Sequence, residues 1–454
     1  MLLVLDLVLI NGLVIDPANR VMSKLNVGVN EGKIAAVTSN VLEGKSVIDC
    51  SGYIVTPGFI DMHMHEDPID NSGNGFKHCI SLSMMRMGVT TAIGGNCGLG
   101  PSDPVEYLSL ADLEGYPVNI GLLSSHSNLR AAFGELDRYR DVSKAVIEKM
   151  SDKLRKELDG GTLGLSFGVR YIPGLDNIEL EMLASVVSHK NKLLAAHVRD
   201  DAKEVIPSIL ELTSISGKMG AKLQISHIGS MAAYGQMEEA LTFIDGLFAS
   251  GLDVGSDCYP YSAFATLAGS TTFDEGFLER YNCGYDALRA TQGIYRGKIL
   301  DEKSFLEIRN KHPEHLIVAH VMKKEEVDLA MKHPRVIIAS DGMLNEGHGH
   351  PRAAGTFPRV LGRYVREQGV LSLYNAIQKM TELPATRLGI DKGKLSVGSE
   401  ADITVFDPNS VVDTADFEDP LKPPVGIRYV IINGEIALNN GEILRYDLGR
   451  AVRT

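Results

Sequence analysis

In "PGFIDMHMHEDP", His63 and His65 stand one residue apart behind a short apolar run, and Glu66 and Asp67 follow them. Positions i and i+2 of an extended strand point to the same side. Both imidazoles can therefore look into one cavity, where neutral ring nitrogens serve as transition-metal ligands. Reactive residue types end other apolar runs as well: Cys97 after "TTAIGGN", His197 after "LLAA", His227 after "LQIS" and Asp341 after "VIIAS". Taken singly, such a histidine is more often a hydrogen-bonded structural residue, and Cys97 a small buried hydrophobe. The His63/His65 pair shifts the balance toward ligands. Imidazoles with one thiolate suit Zn²⁺, which accepts N, S and O donors. Such a metal polarises an amide carbonyl and acidifies water, and Asp341 is placed to carry the proton of that water to a leaving nitrogen.

The elements that must position these residues alternate. Apolar strand-like runs at 89–94, 118–123, 163–167, 193–196, 223–226, 252–255, 316–319 and 336–339 are separated by helical stretches such as "DVSKAVIEKMSDKLRKEL" and "MEEALTFIDGLFA". With "PGFID" the strands number nine. The pattern predicts an α/β chain forming a (β/α)₈ TIM-like barrel, whose active site lies at the C-terminal strand ends. One run is then an excursion, assigned to 316–319 within a long insertion around 272–334. Both chain ends read instead as short strands and hairpins, with turns at Asn11-Gly12, Asn30-Glu31-Gly32, Asn433-Gly434 and Asn440-Gly441. Each end is too short for its own core, so the two are expected to pair into one small β domain. The predicted division is 1–57 with 390–454, and 58–389 for the barrel.

Composition narrows the function classes. The 454 residues are 44% apolar and 23% charged, with net charge −13 and no Lys/Arg-rich run. That excludes an electrostatic footprint for nucleic acid or an anionic membrane surface and points to a small-molecule substrate. The opening "MLLVLDLVLINGLVID" lacks a basic start and is broken by Asp6, so it reads as a strand and not a signal peptide. No stretch approaches the roughly 20 apolar residues of a membrane helix. Five scattered cysteines, Cys50, Cys79, Cys97, Cys258 and Cys283, do not form a disulfide framework. A cytoplasmic protein is expected, with a homo-oligomer left open.

The motifs "PGFIDMHMH", "GVTTAIGGNCG", "AAHVRD", "QISHIG", "DCYPY", "IASDG", "HPRAAGTFPRVLGRYVRE" and "GSEADITVFDP" together resemble the N-acyl-D-amino-acid deacylases (D-aminoacylases) of the amidohydrolase superfamily. The resemblance runs through nearly the whole chain in the family's order. It implies a composite β-sandwich with the barrel and hydrolysis of an N-acyl or similar amide. It also implies a tight zinc on Cys97, His197 and His227, a second, weaker metal position at His63 and His65, and Asp341 as the catalytic aspartate. Arg352, Tyr259 and Ser270 match the residues that fix the substrate carboxylate, and Tyr171 one that polarises the scissile carbonyl. The bridging carboxylated lysine of many other amidohydrolases has no counterpart, and Cys97 stands in its place.

Where the family usually carries a lysine aimed at the carboxylate, this chain has Gly229. The segment "YSAFATLAGS" is lengthened, and "SHSNLR" keeps His126 and Arg130. A cyclic amidohydrolase opening hydantoin, lactam or dihydroorotate rings is therefore the alternative, alongside a deaminase or a non-catalytic binding protein on the same scaffold. Glu66 and Asp67 are expected to orient the histidines or to be solvated. His348 and His350 are expected at the mouth or on a mobile loop, without a ligand role.

Overall fold

The computed structural model describes residues 4–70 and 75–454, and its fold is α/β. Eight parallel strands neighbour one another in chain order. They are Phe59–Asp61, Val89–Gly94, Asn119–Leu122 continued as Ser124–Ser125, Gly164–Gly168, Leu193–His197, Lys222–Ile225, Val254–Cys258 and Val336–Ile338. Beyond their ends the last meets the first. Met64 and Gly342 form a parallel bridge, Asp341 N donates to His63 O at 2.7 Å, and His65 N donates to Gly342 O at 2.9 Å.

Alternation along these strands sorts their apolar residues into two cores. Phe59, Ala92, Leu194, Ala196, Val336 and Ile338 join the large core shared with the helices. Their neighbours Ile60, Ile93, Ala195 and Ile337 form a separate small cluster, as a period of two demands. The helix Lys144–Asp159 shows the matching helical period: Ile147, Met150, Leu154 and Leu158 are buried on one stripe.

Leu316–Ala319 lies outside this series, as expected. It is the middle strand of a small antiparallel sheet with Phe264–Leu267 and Leu288–Ala290. The excursion thus begins ahead of residue 272, because Phe264–Leu267 already belongs to it. The strand expected at 252–255 runs Val254–Cys258 instead. Leu252 N still donates back to Leu247 O at the end of the preceding helix, so the strand starts late and reaches Asp257.

The two chain ends share one nine-stranded sheet, joined where Ile54–Pro57 pairs antiparallel with Ile403–Phe406. Leu7, Leu9, Val14, Val27, Val55, Ile403, Val405 and Ile431 make its own core. Phe406, Val430 and Ile432 belong to the large core. Three of the four expected turns are present, with Asn30 opposite Lys33, Ile432 opposite Glu435 and Asn439 opposite Glu442. Asn11-Gly12 is not a turn. It sits inside the strand Leu5–Asp16, where Asn11 takes φ 64° and the register slips between Leu9 and Gly12. An Asn-Gly pair supplies a β-bulge as readily as a hairpin. Among the described residues no helix is long and apolar enough to cross a membrane.

Candidate active site

The strand ends bring the expected residues together. Ligand atoms of His63, Cys97, His227 and Asp341 all lie within 4.8 Å of one another, and all four residues are buried. Cys97 Sγ is 3.3 Å from His63 Nε2 and 3.2 Å from His227 Nε2. Asp341 Oδ1 is 3.5 Å from His63 Nε2 and 3.4 Å from His65 Nε2. His197 stands beside this cluster, its ring 4.5 Å from that of His227 and 4.7 Å from that of Tyr171. Its Nδ1 is buried without a hydrogen-bonding partner.

Backbone strain accompanies the cluster. Cys97 and His227 have φ of 54° and 33°, a region that L-residues other than Asn and Asp seldom enter, and Asp341 joins them at 48°. Such conformations persist where the surroundings over-determine them and gather at functional sites. Each of these three residues lies just past a strand.

Two groups that the sequence reading missed aim the imidazoles. Asp257 Oδ1 is 3.1 Å from His63 Nδ1 and accepts from His227 N at 2.9 Å, while its Oδ2 accepts from Gln224 Nε2 at 3.0 Å. Ser230 Oγ is 3.0 Å from His227 Nδ1. With the Nδ1 hydrogens donated to these oxygens, both Nε2 lone pairs face the cluster. The available signal was a lone carboxylate in the otherwise uncharged strand "VGSDC". Glu66, half-buried, and Asp67, buried, bond to backbone N–H groups and not to the histidines. Glu66 Oε2 accepts from Gly95 N, and the buried Asp67 accepts from the N–H groups of Cys79, Ile80 and Ser81 at the start of a helix.

The electrostatics favour anionic ligands. Burial pushes the Cys97 thiol up, but the His227 and His63 rings pull it well below the ordinary thiol range. Burial likewise opposes the Asp341 carboxylate, and Arg352, first among the groups opposing it, holds the carboxyl well below its usual range. Burial brings His197 down to about 4, keeping it as the neutral imidazole that ligates metals. A buried thiolate, a buried carboxylate, inward imidazole nitrogens and one orphaned ring nitrogen fit a zinc-type ion.

The cluster opens on a cavity of about 500 Å³ lined by His65, Cys97, Tyr171, Ser270, Asp341 and Arg352 together with apolar Leu99, Leu136, Ile172 and Met343. Burial and the charges of Cys97 and Asp341 raise the Tyr171 hydroxyl well above its ordinary value, so it stays a proton donor. Arg352 Nη1 lies 2.9 Å from Asp341 Oδ2, and its Nε has no partner although buried. Tyr259 lies behind this arginine, with the guanidinium 4.5 Å above its ring. Ser270 Oγ accepts from Thr272 N at 3.1 Å, capping a short helical turn. His126 and Arg130 meet on the buried Glu179. His348 lies on a two-stranded hairpin, whereas His350 is buried and accepts from Arg352 N.

Residues 54–217 and 307–438 match the amidohydrolase family. The chain is 31% identical to the N-acyl-D-glutamate deacylase of Alcaligenes xylosoxydans xylosoxydans, over 95% of its own length and 93% of that protein's. The chain belongs to the N-acyl-D-amino-acid deacylase family of amidohydrolases. A D-aminoacylase of the same organism is also 31% identical, over 94% of the chain described here and 93% of that protein. The N-acyl-D-glutamate deacylase from Bordetella bronchiseptica was solved with zinc and a phosphonate inhibitor that mimics the tetrahedral intermediate. It matches with a TM-score of 0.89 over 100% of both chains at 28% identity. The protein described here is a metal-binding hydrolase of amide C–N bonds.

At Gly229 a side chain would force a buried neighbour to shift. A Cβ there would come 2.8 Å from Cys258 Sγ and 3.4 Å from Met322 Cε, and both neighbours are buried.

Proposed function

We propose that the enzyme hydrolyses N-acyl-D-amino acids at the cavity floor, with Asp341 moving the proton. One observation carries this reading: a buried thiolate, imidazoles and an ionised carboxylate converge within 4.8 Å beneath a cavity sized for a small acylated amino acid. Cys97, His197 and His227 would hold a zinc ion tightly, with His63 and His65 offering a second, weaker position. A metal so held supplies Lewis acidity, polarising the amide carbonyl and acidifying water. Asp341, ionised and facing both His63 and His65, takes the proton of the attacking water and returns it to the leaving nitrogen. Tyr171 donates to the developing oxyanion. The unpartnered edge of Arg352 receives the substrate carboxylate, and Tyr259 positions that arginine from behind. Ser270 forms part of the wall.

In the same reading the eight strands close as a (β/α)₈ barrel spanning 58–389, and 1–57 with 390–454 form the β-sandwich. All five cysteines are free, and burial pushes the Cys50 and Cys258 thiols to about 12. Inert thiols of this kind suit the reducing cytoplasm, where we place the enzyme.

Gly229 supplies no cation where the family's lysine would stand, which favours a second reading, hydrolysis of a neutral or cyclic amide. A turnover screen of the zinc-loaded enzyme separates the two. It would compare N-acetyl-D- and L-amino acids, their carboxamides, hydantoins and dihydroorotate. Selective turnover of carboxylated D-substrates is expected. Activity confined to neutral or cyclic amides would replace this reading by the second.

A further inference from the structure

A second convergence of ligand groups lies outside the catalytic cluster, in the turn "KHPEH" between the helix Glu302–Lys311 and the strand Leu316–Ala319. His312 Nδ1 and His315 Nε2 each stand 3.6 Å from the same atom, Glu314 Oε1. The two rings are stacked, with centroids 4.7 Å apart and planes 9° from parallel. All three ligand atoms lie within 4.8 Å of one another. Two donors at ~2.1 Å from a tetrahedral zinc are themselves roughly 3.4 Å apart. Each imidazole nitrogen therefore stands within a few tenths of an ångström of ligand spacing from the shared carboxylate oxygen, and slightly too far for a direct hydrogen bond.

The backbone beneath these side chains is held on several sides. His315 N donates to His312 O, Ala268 N to His315 O and Gly269 N to Pro313 O, and Asn345 Nδ2 donates to Glu314 O. His312 and Glu314 are exposed, so water can complete the coordination of an ion bound there. Pro313 and Glu314 also line the catalytic cavity.

We propose that His312, Glu314 and His315 bind a divalent transition metal of the zinc and copper class at the mouth of the catalytic cavity. Two imidazoles and one carboxylate suit these ions, and copper(II) binds such donors more tightly than zinc. An ion there reverses the charge that Glu314 contributes to the cavity wall. The site shares no residue with the buried cluster and stands whether or not the catalytic reading holds.

The test is copper(II) titration of the zinc-loaded, full-length enzyme, read by electron paramagnetic resonance. One copper per chain with nitrogen hyperfine structure is expected. It should be lost in His312→Ala and in His315→Ala and kept in His189→Ala, which alters an unrelated exposed histidine. Thermal melts confirm that each variant is folded. Absence of that copper from the parent enzyme, or an unchanged signal in the His312→Ala/His315→Ala double variant, overturns the proposal.

Discussion

Arg352 and Asp341 form a buried ion pair at 2.9 Å, and the opposite oxygen of that carboxylate faces His63 and His65. The aspartate is thereby bracketed by a guanidinium on one side and imidazoles on the other. Burial alone would favour its neutral form, and the neighbouring cation reverses that. It therefore enters the reaction as a carboxylate, the form able to accept a proton.

Asp341→Asn keeps the size and burial of the side chain but removes its basicity. Turnover should fall by about 10²- to 10⁴-fold, with the tight metal retained. Metal analysis and kcat on the same preparation check this, and near-parental kcat in the folded variant would reject the proton-transfer role.

Arg352→Lys preserves the charge and discards the planar fork and its stacking on Tyr259. For an N-acetyl-D-amino acid, kcat/KM should drop by roughly tenfold or more. The matching carboxamide should lose less, because it has no carboxylate to place. Equal losses on both substrates would assign Arg352 to Asp341 alone.

Asp257 restrains His63 and His227 together. Asp257→Asn should weaken metal retention by about 10- to 100-fold. Competition with a chelator of known affinity measures this directly, and unchanged retention would mean that packing alone orients the rings.

Gly229→Ala forces a methyl group against Cys258 Sγ and should cost about 1–3 kcal/mol in a buried site. In Gly229→Ala/Cys258→Ala the obstructing sulfur is gone, and the double variant should be more stable than the sum of the single changes. Urea denaturation of the four proteins closes the cycle, and simple additivity would show that the two positions do not touch.

Lys379 is buried, donating to Met331 O and His333 O, and burial pushes its ammonium down to about 7 from an ordinary 10.5. Below pH 7 the lysine is charged in both states and its burial cost is carried in full. Between these two values the native state has released a proton that the unfolded chain retains, so stability rises with pH. From pH 7 to pH 9 this group should contribute a rise of about 2 kcal/mol. Lys379→Met should flatten the pH profile of unfolding by that amount, and parallel profiles would contradict the shift.

Local chemistry was legible in the amino acids. The strands before Cys97, His197, His227 and Asp341 announced themselves as apolar runs ending in a reactive residue, and the helix Met237–Ala249 covers the same stretch read from its pattern. Both properties depend on a few neighbouring residues, which a one-dimensional pattern retains. Asn11-Gly12 misled for the same reason: the local preference for φ above zero is shared by a hairpin and a bulge, and only the pairing of Gly12 with Leu25 and of Leu13 with Lys24 chooses between them.

The tertiary structure decided what depends on distant partners. Asp257 and His63 are 194 residues apart, so nothing near either one marks the pair. Arg352 could be read as an anchor for a substrate carboxylate or as half of a structural ion pair, and only packing set Asp341 beside it. Gly229 read as a missing cation, and its surroundings add that Cys258 occupies the space a side chain would need. Residue types specify which chemistry is available. Distance and burial, created only when remote segments pack, determine which groups act, which orient others and which exclude a side chain altogether.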